Sequence, residues 1–536
     1  MAIPVRVITP INVPYFASLA ISCPHRTLSD YVLHGLRFGF DIGFRGLASA
    51  SRPPNLRSAR AIPAAVTTAV NLEITRGHTA GPFRDPPFPL LHCSPLGAAP
   101  KKDGTARLIL DLSSPRGSSV NDGIDKTDFS VKYARFDDGV NMVRRVGRSA
   151  YLAKLDIRHA FRICPVRLDQ LYLLGFRWNH MFFVDTRLPF GSRSSPFIFS
   201  SVASLLCWVL IHVCGIALLI HYLDDYLIVS PSLSDCSRDM KLFLDVCDAV
   251  GVPIASNKTE GPSQCLVFLG VEIDARLQVV RLPADKLTRL LNDLRDWGGR
   301  ASCTRRELES LIGTLSFAAH VVRPGRLFVR RLINLASSIP SRDTPIQMST
   351  DAKADIDWWA RFVTSWNGVS MIPSATHTSA SLELFSDASF VGIGAYCGNA
   401  WFSAPLPVQL LDRVHATDRK SRLHINVFEL LAVVGAVFTW GRAWRDSSVI
   451  IFTDNKCVVD VWRSTASTSP HILSLLRPLF FFCAENNIHL KFSHIPGHTN
   501  SRADALSRLQ VTRFRQLHPH ADSQPTVVAQ QIWALL

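Results

Sequence analysis

The segment HYLDDYLIVS, residues 221–230, sets two adjacent aspartates, Asp224 and Asp225, between apolar runs at 217–222 and 226–229. Such runs predict the two strands of a hairpin with the carboxylates at its turn. Two charges beside apolar strands are costly to bury unless a cation compensates them. Hard Mg²⁺ suits carboxylate oxygens and leaves other coordination positions open for phosphates. An isolated Asp-Asp turn is more often simply solvated, so the rest of the chain must supply a third carboxylate and a nucleotide site.

Asp156 is that carboxylate, at the end of an apolar stretch, 150–157, that reads as a strand. Phosphoryl transfer from a nucleoside triphosphate uses two metal ions on carboxylates that meet in space. One lowers the pKa of the attacking hydroxyl, and the other neutralises the leaving pyrophosphate. Asp156 and Asp224 are the expected bridging ligands, with Asp225 secondary. Lys101 and Lys102 lie on a basic hairpin turn and Arg107 on the strand after it (107–112), where all three suit triphosphate oxygens. The 58 Lys+Arg exceed the 43 Asp+Glu by 15 charges, an excess expected of a protein that binds polyanions, nucleic acid foremost.

Hydrophobic residues at 47% and charged residues at 19% describe a globular chain and exclude a disordered one. The 12 cysteines form no C-x-x-C pair, which excludes a zinc knuckle and a thioredoxin-like motif. With no signal-peptide pattern they read as free thiols in a reducing compartment. An intracellular site, cytoplasmic or nuclear, is therefore expected, not secretion. The apolar window 202–220 is nearly long enough to cross a bilayer, but it contains His212 and Gly215 and runs straight into the aspartates. It predicts a buried helix, a break at 214–215 and a buried strand, with no membrane as partner. Residues 1–75 mix proline, arginine and small residues with short apolar pieces, and are expected to be a loosely organised lead-in without chemistry. Proline recurs from 82 to 100, predicting extended chain. Helices are predicted at 234–250, from a Thr304/Glu307 capping box to 320, and at 351–364, with a strand at 267–273 and a linker at 377–382.

Five motifs then occur in order: D-x-x-x-x-F with Asp156 and Phe161 at its ends, LPFG…SP (188–196), YLDD (222–225), Lys258 in SNKTE, and FLG (268–270). Together they resemble the palm motifs of a reverse transcriptase. That resemblance implies that Phe161 lies under the sugar and excludes a 2′-hydroxyl, favouring dNTPs. It implies that Pro189, Phe190 and Gly191 line the pocket against the incoming base and template. Lys258 would donate a proton to pyrophosphate, and Phe268, Leu269 and Gly270 would grip the primer. Phe190 stands where retroviral enzymes usually have Gln, closer to the retrotransposon pattern.

A second acidic set follows. Asp387 ends the strand-like LELFSDAS before the glycine-rich VGIGAYC, and Glu429 lies in the apolar-periodic helix NVFELLAV. Asp454 follows the predicted strand 449–453, and Asp504 lies in SRADALSR. Four carboxylates in this order are expected to converge on two Mg²⁺ ions, with water as the nucleophile. The set resembles ribonuclease H, with His498 in HIPGHTNSRAD matching that family's mobile histidine for proton transfer or product release. Asn455 and Asn500 are candidate contacts to the hybrid backbone or its 2′-hydroxyls. Asp387-Ala388-Ser389 departs from D-[ST]-G, which excludes a retroviral-type aspartic protease.

The expected fold class is α/β (α+β). A right-hand polymerase has fingers and palm at 76–275 and a helical thumb and connection at 276–378. An RNase H-like α/β domain at 379–510 and a polar tail or connector at 511–536 follow. The patterns HCSPLG, LDLSSPRGSSVND, LPFG-x-RSSPFIF and ADALSRL are most similar to DIRS-type retrotransposons, which carry a tyrosine recombinase. The resemblance implies an RNA template, a DNA primer, the RNA–DNA hybrid and dNTPs as partners, and a recombinase encoded downstream. Two Mg²⁺ ions per site are implied as cofactors, with Mn²⁺ as a substitute. Two rival readings are a decayed or co-opted remnant that binds nucleic acid without catalysis, and an RNase H nuclease with a structural palm. Seven retained carboxylates argue against the remnant.

Overall fold

The computed structural model describes the chain except residues 48, 102–103, 371–381, 415–417, 419–421, 446, 465–466, 468 and 487. It divides into two units, Met1–Gln278 and Val279–Leu536.

The first unit is built on a four-stranded antiparallel sheet in the order Leu219–Tyr222, Asp225–Ser230, Tyr151–Asp156, Glu260–Ser263. Tyr226, Leu227, Ile228 and Val229 are all buried, as are Leu152, Ala153 and Leu155. Central strands covered on both faces read as continuous apolar runs, which is why they stand out in the sequence. Helices Phe136–Val146 and Leu233–Val250 pack on this sheet, and Ser195–His212 packs on its strand Leu219–Tyr222. Between that last helix and its strand Gly215 takes φ +81°, the break expected there. Two described helices, Ser195–His212 and Ile425–Trp444, are long and apolar enough to span a bilayer, and both bury most of their length inside the protein.

Three expectations change. The predicted strand 267–273 is a hairpin, Cys265–Phe268 and Val271–Asp274, with Phe268 opposite Val271. Leu269 and Gly270 turn the chain at φ +48° and +79°, a two-residue loop whose twist matches the strands. The lead-in is packed structure. Helices Val13–Leu19, Arg26–Phe38 and Pro63–Thr75 put Phe16, Val32, Leu36, Val66 and Val70 into the core of the first unit. Arg26–Phe38 is amphipathic, with Val32 and Leu36 one turn apart on its buried face, whereas Pro63–Thr75 has no clear apolar period and Val13–Leu19 is only seven residues long, so the order of those two comes from tertiary burial. An ionic network ties this region down: Arg162 bonds Glu73 at 3.1 Å and Asp185 at 2.9 Å, and Thr79 donates to Asp185 at 2.6 Å. Burial pushes the Glu73 carboxyl up, but the His78 hydrogen bond and the Arg162 charge prevail and hold it at about 2.

The second unit holds a five-stranded sheet in the order Ala400–Pro405, Gly392–Cys397, Leu382–Ala388, Ser448–Thr453, His489–His494. The first three strands are antiparallel and the last two run parallel to Leu382–Ala388. Helix Ile425–Trp440 packs on Leu382–Ala388 and Gly392–Cys397. Upstream lie helices Ala284–Gly298, Arg305–Ala318, Arg330–Ser338 and Thr350–Trp366, the second opened by the Thr304/Glu307 capping box. Of the expected linker 377–382, only Leu382 lies within the described residues. The third change concerns the polar tail, which folds back onto this unit. Phe514 is fully buried with its ring 5.1 Å from Trp401, and the Trp401 indole donates to the Asp522 carbonyl at 2.8 Å. Its buried residues (Phe514, Ala521, Val528, Ile532) are spaced too widely to register as an apolar period.

Candidate functional site

Asp156 ends its strand, Asp225 begins the next one, and the register sets them directly opposite each other. Opposite residues of an antiparallel pair share a face, and like charges there repel. Asp224 occupies the two-residue turn with Leu223, whose φ of +52° is uncommon for a side chain of that size. The Asp224 carbonyl accepts from the Ile157 amide at 3.0 Å, which binds the turn to the end of the neighbouring strand. Lys258 offsets the repulsion, with Nζ 2.8 Å from Asp156 Oδ2. It stands on the 3₁₀ turn Ser256–Lys258, placed by an Ala255 amide that donates to the Asp156 carbonyl at 2.8 Å. Burial, then Asp224 and Asp156, push the Asp225 carboxyl up to about 6. Asp224 is also raised, by burial and then Asp156, while Lys258 and Arg107 oppose the shift. Three crowded carboxyls, with Asp224 and Asp225 raised in part by their neighbours, form a donor set that fits a hard divalent cation.

Beside them the LPFG loop is pinned at several points. Gly191 has φ +113°, and a Cβ there would lie 2.2 Å from the Leu110 carbonyl oxygen. Buried Asn121 donates to the Gly191 carbonyl at 2.9 Å and accepts from the Arg193 amide at 2.8 Å. Ser195 Oγ donates to the Pro189 carbonyl at 3.0 Å. The ring of Phe161, on the turn Ala160–Ile163, lies 5.2 Å from Phe190 and 5.7 Å from buried Phe199. Arg107 Cζ stands 6.0 Å from the Phe190 ring centre. The fold thus gathers Arg107, Phe161, Phe190 and Gly191. Lys101 is exposed at the end of Leu96–Pro100, and Lys102 lies outside the described residues. Phe268 is fully buried, so of that motif only Leu269 and Gly270 reach the surface. Asn121 escaped the sequence reading because its partners lie about 70 positions away. Tyr133 escaped too, with its ring 5.0 Å from Tyr222 of YLDD.

In the second unit, carboxylate oxygens of Asp387, Glu429 and Asp454 lie within 4.8 Å of one another. Glu429 Oε2 and Asp454 Oδ1 are buried without a hydrogen-bond partner among the described residues. Orphaned buried acceptors facing a carboxylate cluster fit a divalent cation. Burial, then Asp387 and Asp454, lift Glu429 to about 9. Asp387 rises to about 7, chiefly through burial, against a Ser507 hydrogen bond that favours its ionised form. Ser507, itself fully buried, donates from Oγ to Asp387 Oδ2. Asp504 is not one of the three mutually close carboxylates; it pairs with Arg508 at 2.6 Å and Arg513 at 3.9 Å, and its charge is still near enough to help raise Asp387.

His498 is exposed on the turn Gly497–Asn500. Asn500 is a correction: it is 1% exposed and donates to the Ser386 carbonyl at 3.0 Å, so it serves the fold and cannot reach a bound strand. Asn455 is half-buried, accepts from the Val458 amide at 3.1 Å and donates to Asn426 at 2.9 Å, which orients the segment that follows Asp454. His494, Ser507 and Arg508 were not foreseen, although Ser507 and Arg508 lie one helical turn from Asp504. His494 Nε2 lies 3.1 Å from the Asp454 carbonyl.

Residues 99–273, which include Arg107, Asp156, Phe161, Phe190, Asp224, Asp225, Lys258 and Phe268, match the reverse transcriptase (RNA-dependent DNA polymerase) family. The transposon Tf2-3 and Tf2-7 polyproteins of Schizosaccharomyces pombe are 23% and 22% identical to 84% of this chain. The chain spans 31% of the length of these relatives. Among solved structures, the foamy viral protease-reverse transcriptase in complex with an RNA/DNA hybrid aligns at a TM-score of 0.51 and 14% identity. That match covers 92% of this chain and 64% of the other, and places this chain in the same mixed helix–sheet polymerase fold.

Proposed function

We propose that this chain is an RNA-directed and DNA-directed DNA polymerase of a retrotransposon that also hydrolyses the RNA strand of RNA–DNA hybrids. The carrying observation is the acidic hairpin opposite Asp156, with Arg107, Phe161 and Phe190 beside it, in the segment matching the reverse transcriptase family. The hydrolytic half is supported by the carboxylate trio on the five-stranded sheet and its two orphaned oxygens.

In this reading Asp156, Asp224 and Asp225 hold the ions at the first site, and Asp387, Glu429, Asp454 and Asp504 hold them at the second. Mg²⁺ bound there supplies charge neutralisation and a lowered pKa for the attacking hydroxyl or water, and Mn²⁺ can replace it. Arg107 pairs with triphosphate oxygens, and the Phe161 ring sits where a 2′-hydroxyl would collide with it. Lys258, released from Asp156, holds a proton at Nζ for the leaving pyrophosphate. His498, on its exposed turn, moves protons at the second site. The DIRS-type affiliation, with a tyrosine recombinase as partner and an intracellular location, is the finer part of the proposal and rests on the sequence patterns alone.

The test is a pair of variants of the full chain. Asp224→Asn should abolish primer extension on an RNA template and leave hybrid cleavage, and Asp454→Asn should do the reverse. Extension that survives Asp224→Asn refutes the first site. Hybrid binding with neither activity under Mg²⁺ or Mn²⁺ identifies a non-catalytic remnant.

A further inference from the structure

Away from both acidic sites, the second unit holds a cavity of about 380 Å³ between helix Pro470–Glu485, helix Ile425–Trp440 and the turn Arg323–Phe328. Its walls are four rings, Phe328, Phe438, Phe481 and Phe482. Phe328 stacks on Trp358 at 3.9 Å, Phe481 meets Phe362 edge to face at 5.1 Å, and Phe438 stacks on Phe482 at 5.0 Å. Rings braced in this way keep their places, so the space between them stays open. The lining also carries one cation. Arg477 is 7% exposed, and its guanidinium carbon lies 5.4 Å from the centre of the Phe328 ring. Among the described residues both of its hydrogen bonds leave from Nη2, to the Leu327 carbonyl and to Asp355 Oδ2, each at 2.9 Å. Its Nε is buried with no acceptor. Asp355 balances the charge but uses little of a guanidinium's five N–H donors, and native interiors rarely leave such a donor unmet. Glu485 is the exposed residue of the lining and marks its solvent side.

We propose that this cavity is a binding site for a small aromatic carboxylate, with its ring among the four phenylalanines and its carboxylate on the Arg477 N–H groups that Asp355 leaves unused. The lining selects that class. A flat apolar body suits walls made of rings, and the volume is within the range of cavities that hold small organic ligands, which begins at about 300 Å³. One acceptor group suits one guanidinium. A phosphate-rich polyanion does not fit, because the described lining offers no second cation and Glu485 repels further negative charge. The site shares no residue with the acidic hairpin or the carboxylate trio, so it stands or falls apart from the polymerase and nuclease readings.

The experiment titrates the full chain by calorimetry with 2-naphthoate and, separately, with 2-naphthylmethanol, which keeps the rings without the charge. The parent should bind naphthoate about tenfold more tightly, the margin of a charged over a neutral hydrogen bond. The chain carries 15 excess positive charges and attracts anions elsewhere, so variants locate the binding. Phe482→Trp narrows the cavity, leaves Arg477 in place, and should weaken both probes about fivefold or more. Glu485→Gln, at an exposed position, should tighten naphthoate about 2- to 3-fold and leave the alcohol unchanged. Arg477→Met combined with Asp355→Leu removes the ion pair without stranding a buried charge, and should erase the preference for naphthoate. If that double variant does not fold, the two single variants still decide the matter. Equal binding of both probes by the parent, naphthoate binding that Phe482→Trp leaves intact, or no binding up to about 1 mM overturns the proposal.

Discussion

Asp225 faces Asp156 across neighbouring antiparallel strands, and Lys258 closes on Asp156 at 2.8 Å. Two carboxylates in register form a repulsive pair that the fold tolerates because a cation is at hand. The same logic recurs in the second unit, where Arg508 pairs with Asp504 beside the carboxylate trio. Both acidic sites thus carry a basic side chain of their own.

Lys258 tests this directly. Its side chain is 58% exposed but that of Asp156 only 7%, so Lys258→Met leaves a buried carboxylate without its ion pair and should lower the denaturation midpoint of the first unit. Losing its charge should raise Asp224 and Asp225 further, so the acidic limb of primer extension should move to higher pH. The check is a pH–rate profile, and an unmoved acidic limb contradicts the assigned electrostatics.

Stability should carry the opposite signature to an ordinary carboxylate. Asp225 at about 6, Asp387 at about 7 and Glu429 at about 9 all lie above their unfolded values. Between the unfolded and folded pKa the native chain binds more protons, so each group's contribution weakens as pH rises through that interval. Denaturation midpoints of chelator-treated protein should fall across about pH 4 to 9 for this reason. Glu429→Gln should flatten the alkaline part of the decline and Asp225→Asn the acidic part.

Gly191→Ala brings a Cβ to 2.2 Å from the Leu110 carbonyl at φ +113° and should destabilise the first unit by more than about 1 kcal/mol. Asn121→Ala leaves the Gly191 carbonyl and the Arg193 amide without their partner, a loss of about 1–3 kcal/mol. Denaturation midpoints measure both, and in both variants hybrid cleavage by the second unit should persist.

Ser507→Ala removes the hydroxyl that holds the Asp387 carboxylate. Hydrogen bonds to a charged group are worth about 1.5–3 kcal/mol, so hybrid cleavage should fall roughly tenfold or more. The Mg²⁺ concentration for half-maximal cleavage should rise, a shift that general loosening of the fold would not produce by itself. Primer extension serves as the internal control.

Phe514 is fully buried against Trp401, and Phe514→Ala should cost about 3–5 kcal/mol of stability in the second unit. A chain ended at residue 510 should lose hybrid cleavage through unfolding, visible as a red shift in tryptophan fluorescence. An unaltered midpoint for Phe514→Ala would mean that the tail is ornamental.

Much was legible in the one-dimensional pattern. Apolar strands with Asp156, Asp387 and Asp454 at or next to their ends, the hairpin at Asp224 and the Thr304 capping box all depend on local sequence, and local propensity and burial agree there. What stayed hidden depends on residues distant in the chain. The lead-in and the tail were misread because short or thinly spaced apolar residues earn their order only by packing against elements far away.

By itself the sequence determined which carboxylates, cations and rings are available, and on which kind of element each one sits. Tertiary structure decided who faces whom: Asp225 opposite Asp156, Lys258 on Asp156, Phe190 between Arg107 and Phe161, and Ser507 on Asp387. It also withdrew Asn500 from the surface. The reason is physical. Hydrophobic periodicity is a local quantity, whereas register, charge pairing and ring contact are set by strand alignment and close packing among residues as much as 120 positions apart.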